Sequence, residues 1–188
     1  MRILEAVIAK TDDKKAKMLL GCLLYNKRHY EKAAALWEQC DDYISVRNLA
    51  VACFSHLHRK DEALPLMKKA IALAPDSEQL VYETAVLMDM QGTPAKEKIA
   101  FLLSHSITRD DCITELSKAY NQDMQPEKAI ETLMSHIFVP CEGGEHAIAD
   151  QYLFAHLVIG RRQLAAGDVK GALATFRKGQ VLPQSLGA

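Results

Sequence analysis

An all-α architecture of antiparallel helix pairs laid side by side is what this 188-residue sequence predicts. Three features carry the prediction. Every periodic segment repeats its apolar residues at i, i+3, i+4 and i+7, the spacing of one helical face, and strand-type alternation is almost absent. Strong turn signals such as Gln91-Gly-Thr-Pro94 and Ala166-Gly-Asp168 separate segments of helical length. A small residue recurs near the start of alternate helices, at Ala33, Ala63, Ala129 and Ala172, where close helix approach requires it. Their spacings of 30, 66 and 43 residues leave room in the middle interval for one more unit, which residues 77–106 supply. Periods in this range mark a helical solenoid.

Taken in order, residues 1–10 read as the second helix of a pair whose first helix is missing, so the chain is expected to be an excised piece. Five pairs follow, at 14–40, 45–75, 77–106, 109–137 and 145–183, in one domain interrupted by a loop insertion at 138–144. In the first pair, Thr11-Asp-Asp13 turns and caps a helix from Lys14 to Asn26, with Ala16, Leu19, Leu20, Leu23 and Leu24 inward. Its partner, Glu31 to Cys40, buries Ala33, Ala34, Leu36 and Trp37. The second pair is the clearest: Val46, Leu49, Ala50, Cys53, Phe54 and Leu57 share one face, then Ala63, Leu64, Met67, Ala70, Ile71 and Leu73 another. Acidic Asp61 and Glu62 suit the start of its second helix, and Ala74-Pro-Asp-Ser77 stops it. Pro65, one turn in, is expected to bend that helix without breaking it. In the third pair proline fits the first helical position after Gln91-Gly-Thr; in the fifth, Pro183 closes the second helix.

Composition narrows the function classes. Half the residues are apolar and a quarter charged, as in ordinary globular proteins, and the formal net charge is -1. Nucleic-acid binders carry a concentrated basic face, so no nucleic-acid partner is expected. No run approaches the ~18 apolar residues of a membrane span, and Met1–Lys10, with Glu5 in it, is not a signal peptide. The five cysteines form no C-x-x-C pair; they read as small buried hydrophobes, which fits a reducing, cytoplasmic compartment. There is no G-x-S-x-G, phosphate loop, H-E-x-x-H or G-x-G-x-x-G, so neither an enzyme nor a cofactor is expected. His56-x-His58 reads as part of an exposed basic turn and not as a metal site, because only Asp61 stands near with ligand spacing.

The repeat resembles the tetratricopeptide (TPR) family, whose pattern is W-x2-L-G-x2-Y…A-x3-F…P. The first pair supplies Leu20-Gly21, Leu24, Ala33 and Trp37; the second Ala50, Phe54, Ala63, Met67 and Pro75. The fourth supplies Leu116, Tyr120, Ala129 and Leu133, and the fifth Ile159-Gly160, Ala172 and Phe176. In the third, Glu97 or Lys98 takes the small-residue place. The likeness covers roughly residues 14–184 and implies a right-handed superhelix that binds a protein segment along its concave side. Tyr25-x4-Tyr30-Glu, Arg47-Asn-Leu-Ala50 and Glu142-Gly-Gly-Glu145 are also similar to the tail of large bacterial TPR proteins with an uncharacterised upstream β-sandwich. That likeness implies a C-terminal fragment and, as an alternative function, an accessory region of a carbohydrate-active protein.

Carried over from the family, the groove positions are Met18, Tyr25 and Asn26 in the first pair, Asn48 in the second, Tyr82 and Asp89 in the third, Lys118 and Asn121 in the fourth, and Arg161 in the fifth. Met18 and Cys22 stand where chaperone-tail binders carry lysine and asparagine, so that specialisation is not expected. The loop Glu142-Gly143-Gly144-Glu145 exposes backbone N–H groups and two carboxylates; it reads as a reorienting, capping loop first and a partner contact second. The expected function is a non-enzymatic scaffold that binds a peptide, a protein or another domain of its own longer chain. Homo-oligomerisation through the solenoid ends is a further reading, since neither end has a clear polar capping helix.

Overall fold

A computed structural model of the chain describes residues 2–139 and 145–186. Among them are eleven α-helices and no strand. They are α1 (Arg2–Thr11), α2 (Lys14–Asn26), α3 (Tyr30–Trp37), α4 (Tyr43–Ser55), α5 (Lys60–Leu73), α6 (Glu78–Met90), α7 (Ala95–Leu103), α8 (Asp110–Gln122), α9 (Pro126–Met134), α10 (Glu145–Ala165) and α11 (Val169–Gly179), followed by a 3-10 turn at Gln184–Leu186. The chain forms two compact units, Met1–Leu87 and Met88–Ala188, and the division falls within α6. No helix of the described residues is long and apolar enough to cross a membrane.

The even-numbered helices from α2 to α8 are all 13 residues long. Their partners α3, α7 and α9 are shorter than the sequence predicts, ending at Trp37, Leu103 and Met134 instead of Cys40, Ser106 and Ile137. In the last two a serine, Ser104 or Ser135, takes the C-cap with its hydroxyl turned back onto a carbonyl three residues earlier. Pro65 sits inside a continuous α5. Asp13 and Asp42 cap α2 and α4 through the Ala16 and Ser45 amides, at 2.7 and 2.9 Å. Asp168 does the same for α11 through Gly171.

Each pair closes with one residue of left-handed backbone: Arg28, His58, Gly92, Met124 and Gly167, with φ of 63°, 56°, 71°, 56° and 83°. In four pairs the following residue donates its N–H to a carbonyl five positions back, as His29 does to Leu24 at 2.9 Å and Gln125 to Tyr120 at 2.8 Å. This wrapped ending satisfies carbonyls that the helix terminus would otherwise orphan and turns the chain straight into its partner helix.

The fourth residue of every second helix is fully or almost fully buried: Ala33, Ala63, Lys98, Ala129 and Ala172. The eighth residue of the 13-residue first helices is also buried and small: Gly21, Ala50, Ala85 and Ser117. Ser117 adds a hydroxyl bond to the Ala129 carbonyl at 3.1 Å. At Gly21 and Gly160 an aromatic ring excludes any side chain. A Cβ on Gly21 would fall on the Trp37 indole, 2.8 Å from Cε2, and one on Gly160 would fall on the Phe176 ring, 2.7 Å from Cδ1. This contact also explains a departure from the predicted core. Leu19 and Leu23 are exposed, while Lys17 and Gly21 are buried, because the indole seated on Gly21 draws the inward arc of α2 to that side.

In unit 1, Leu20, Leu24, Ala33, Ala34, Trp37, Leu49, Ala52 and Cys53 form one core, joined by Leu4 and Ile8 of α1. In unit 2 a second cluster gathers Leu133, Phe138, Ile148, Tyr152 and Leu186. Phe138, expected in a loop insertion, is therefore a core residue. The stretch around it is pinned by Asp110, whose carboxylate accepts from the Val139 N–H at 3.0 Å and meets His136 Nε2 at 2.7 Å. Phe138 N–H also donates to the Ser185 carbonyl at 3.0 Å, so the segment after α11 folds back onto it. Cys40, Cys53 and Cys112 are buried free thiols, and burial pushes the Cys40 and Cys53 thiols up from their ordinary value.

Gly21→Ala and Gly160→Ala are each expected to cost about 1–3 kcal/mol through overpacking against an aromatic ring. Urea unfolding of the two variants, with Ala35→Gly on the exposed side of α3 as a control for backbone entropy, checks this.

Candidate functional site

Three helices of unit 1 enclose a cleft of ≈ 180 Å³. From α2 come Cys22, Tyr25 and Asn26, at i, i+3 and i+4; α4 adds Arg47, Asn48 and Val51, and α3 adds Trp37. Helical spacing puts each trio on one face, and the pairing of α2 with α3 and of α3 with α4 brings the faces together. The predicted groove residues Tyr25, Asn26 and Asn48 thus share one site. Met18 lies one turn before Cys22; its sulfur is 4.0 Å from the Cys22 sulfur, and its carbonyl accepts from Trp37 Nε1 at 3.2 Å.

The polar side of the cleft is built as a chain. Asn48 Nδ2 donates to the Cys22 sulfur at 3.6 Å, while its Oδ1 accepts from Arg47 Nη1 at 3.0 Å. Arg47 makes a two-pronged bond to Glu83 of α6, at 2.7 and 2.6 Å, and Gln79 supports the same carboxylate at 3.1 Å. Burial alone would raise the Glu83 carboxyl, but the Arg47 and Gln79 bonds outweigh it and hold it below its ordinary value. The same Glu83 bond raises Arg47 against its desolvation. Burial pushes the Cys22 thiol and the Tyr25 phenol up, so both are neutral at physiological pH. The apolar side is aromatic. Tyr25 packs on Trp37 and Tyr30 at centroid distances of 5.7 and 5.2 Å, and Tyr30 stacks on His56 at 3.7 Å. His56, expected on an exposed basic turn, is instead partly buried against these rings. The reason is the preceding helix, which ends at Ser55 and lets the ring fall onto Tyr30. Among the described residues no group of three His, Cys, Asp or Glu side chains is arranged to hold a metal.

In unit 2 the predicted residues Asp89 and Lys118 meet in a four-charge cluster. Lys98, completely buried, places its ammonium 2.6 Å from Asp89 and 2.9 Å from Glu115. Lys118 closes the ring at 2.7 and 3.4 Å from the same two carboxylates. Two cations and two anions cancel. Burial opposes the charge on Asp89, but bonds from Lys118 and Lys98 prevail and hold its carboxyl below the usual range. Likewise burial would lower Lys118, yet the Asp89 bond and both carboxylates raise it.

The other predicted positions separate. Asn121 is 3% exposed and gives its amide to the Gln151 carbonyl and side chain, at 3.0 and 3.2 Å, linking α8 to α10. Arg161 is exposed on α10, and Tyr82 is partly buried on α6. Glu142, Gly143 and Gly144 lie outside the described residues, as does the side chain of Glu145, which begins α10. Arg47, Val51 and Glu83 are members of the first site that sequence reasoning missed, and Trp37, read as core, is another of its walls. The available signal was a charge pair 36 residues apart on successive first helices.

Lys98→Ala restores the small residue of the other four pairs, yet it is expected to destabilise unit 2 by about 3–5 kcal/mol, since it leaves two buried carboxylates to one partner. Adding Asp89→Ala and Glu115→Ala in the same chain should recover much of that loss in urea melts. The pH signs follow from the shifts. The depressed Asp89 contributes stability above the ordinary aspartate pKa of about 3.9, and this is lost as pH falls through its lower folded value. The raised Lys118 contributes fully below about 10.4, and this is lost as pH rises through its higher folded value. A stability plateau between these limits is expected, with an acid limb that is shallower in Asp89→Asn.

No profile of a known protein family matches the chain. Solved structures do. The crystal structure of the MamA protein superposes with a TM-score of 0.60 at 17% identity, over 88% of this chain and 89% of that one. YrrB, a TPR protein with an unusual peptide-binding site, superposes at 0.63 and 13% identity, over 93% of this chain and 89% of that one. In the structure of Naa15/Naa10 bound to HypK-THB, the match reaches 0.63 at 22% identity over 98% of this chain, which spans 30% of the matched one. At these identities the likeness is one of fold, and the fold is a TPR-like array of helix pairs.

Proposed function

We propose that this chain is a non-enzymatic scaffold that binds a segment of another protein, or of another domain of its own longer chain, through the first-helix face of its pairs. The observation that carries the reading is the unit 1 cleft of ≈ 180 Å³, with an aromatic wall of Tyr25 and Trp37 beside an amide and a guanidinium. Small-molecule and cofactor pockets run to about 300–1,000 Å³, so this one suits a single inserted side chain flanked by backbone contacts. Asn26 is exposed at its rim, and Arg47 retains partial exposure while tied to Glu83. Such a pre-organised amide and cation recognise backbone carbonyls and an acidic or amide side chain. The peptide-binding site of YrrB, on the same kind of fold, supports the reading by analogy.

The test is a screen of immobilised random peptides against the purified chain, followed by titration of the hits. Tyr25→Ala and Asn48→Ala should each weaken a selected peptide by about 1–2 kcal/mol, roughly five- to thirtyfold. Selected peptides that bind both variants as tightly as the parent would dismiss the cleft as their site.

A further inference from the structure

A second surface lies at the other end of the chain, on the face that α10 and α11 present together. Leu153, His156, Leu157, Phe176 and Gln180 line a groove of ≈ 240 Å³ between these helices. The groove continues as a stripe. Leu157 and Leu164 on α10, and Val169 and Leu173 on α11, fall within one helical face each, and all four are 43–66% exposed. The bottom is rigid, because Phe176 sits on Gly160 and Gly179 lies against His156, with no room for a Cβ at either glycine.

The rims are charged. At 100° per residue, Arg161 stands on the outer side of the Leu153–Leu157 stripe, and Lys170 and Arg177 stand on the outer side of the Val169–Leu173 stripe. All three cations are exposed. The acids nearby are Asp168, committed to the cap of α11, and Asp150, at the far end of the α10 face. An apolar floor between two cationic rims is the complement of an amphipathic helix with acidic flanks.

We infer that the α10–α11 groove docks an acidic amphipathic helix of a partner protein. A second copy of this chain is the poorer occupant on charge. A face-to-face contact would set Arg161, Lys170 and Arg177 against their own counterparts, and α1 carries Arg2 and Lys10 against a single acid, Glu5.

The experiment uses the full chain and two synthetic amphipathic helices of about five turns. Both have leucines at i, i+3, i+4 and i+7; one has glutamate flanks and the other lysine flanks. Fluorescence anisotropy should show the glutamate peptide binding about tenfold or more tighter than the lysine peptide, a difference that shrinks as salt is raised. Leu157→Asp and Leu173→Asp, both at exposed positions that leave the fold intact by circular dichroism, should abolish binding. The double variant Arg161→Glu/Arg177→Glu should reverse the preference towards the lysine peptide. Asn48→Ala should leave glutamate-peptide binding unchanged, which separates this groove from the unit 1 cleft. Equal binding of the two peptides, no binding of either, or a concentration-dependent dimer that Leu173→Asp dissociates would overturn the assignment, the last giving the face to a second copy.

Discussion

Close approach within each helix pair is the constraint on which this structure rests. In α2–α3, α4–α5 and α8–α9 the fourth residue of the second helix is a buried alanine, with a small buried residue at the eighth position of the first. Four pairs satisfy the constraint with alanine. The third satisfies it with Lys98, whose side chain is wholly buried and whose ammonium finds two carboxylates. A long chain at a tight site is tolerable only because it leaves the contact and ends in an ion cluster. The same position then serves two ends: packing in four pairs, and electrostatic linkage in one.

A second regularity concerns the first helices. Successive members are joined side to side by a polar contact: Asn48 to Cys22 between α4 and α2, Arg47 to Glu83 between α4 and α6, Lys118 to Asp89 between α8 and α6, and Asn121 to Gln151 between α8 and α10. Each is specific to one register, since sliding a helix by one residue rotates a side chain by 100° and strands its partner. Greasy packing alone would tolerate such slippage better. The two ion pairs among them are partly exposed, and such pairs add little net stability.

The helical order was legible because its signals are local. Apolar period, Gly92 and Gly167 in turns, and the recurrent alanines fixed the pairs to within a few residues. What escaped is non-local or depends on a single backbone angle. Arg28, His58 and Met124 take the left-handed conformation that glycine takes in the other two turns, and nothing in their chemistry announces it. Leu19 and Leu23 fall outside the inward arc of α2, since the sequence shows four leucines but not that Trp37 needs Gly21. Phe138 joined the core because chain from beyond α11 returns to cover it, a contact 47 residues away.

The groove residues illustrate the same limit from the side of function. Family positions place Tyr25, Asn26 and Asn48 in one cleft, yet they also select Asn121, whose amide nitrogen is taken by Gln151, and Asp89, whose carboxylate is taken by Lys98 and Lys118. A polar residue on the first helices has two uses, to meet a ligand or to hold the next helix, and sequence position does not distinguish them. Partner chemistry does. Where a complementary group stands one repeat away, as Glu83 does for Arg47, the side chain is held by the protein and can reach a ligand only with what remains of its donors. Arg47 still has one prong on Asn48, so the Glu83 bond fixes the amide that faces the cleft. Binding there would draw on an amide already oriented, and the ordering cost would have been met in folding.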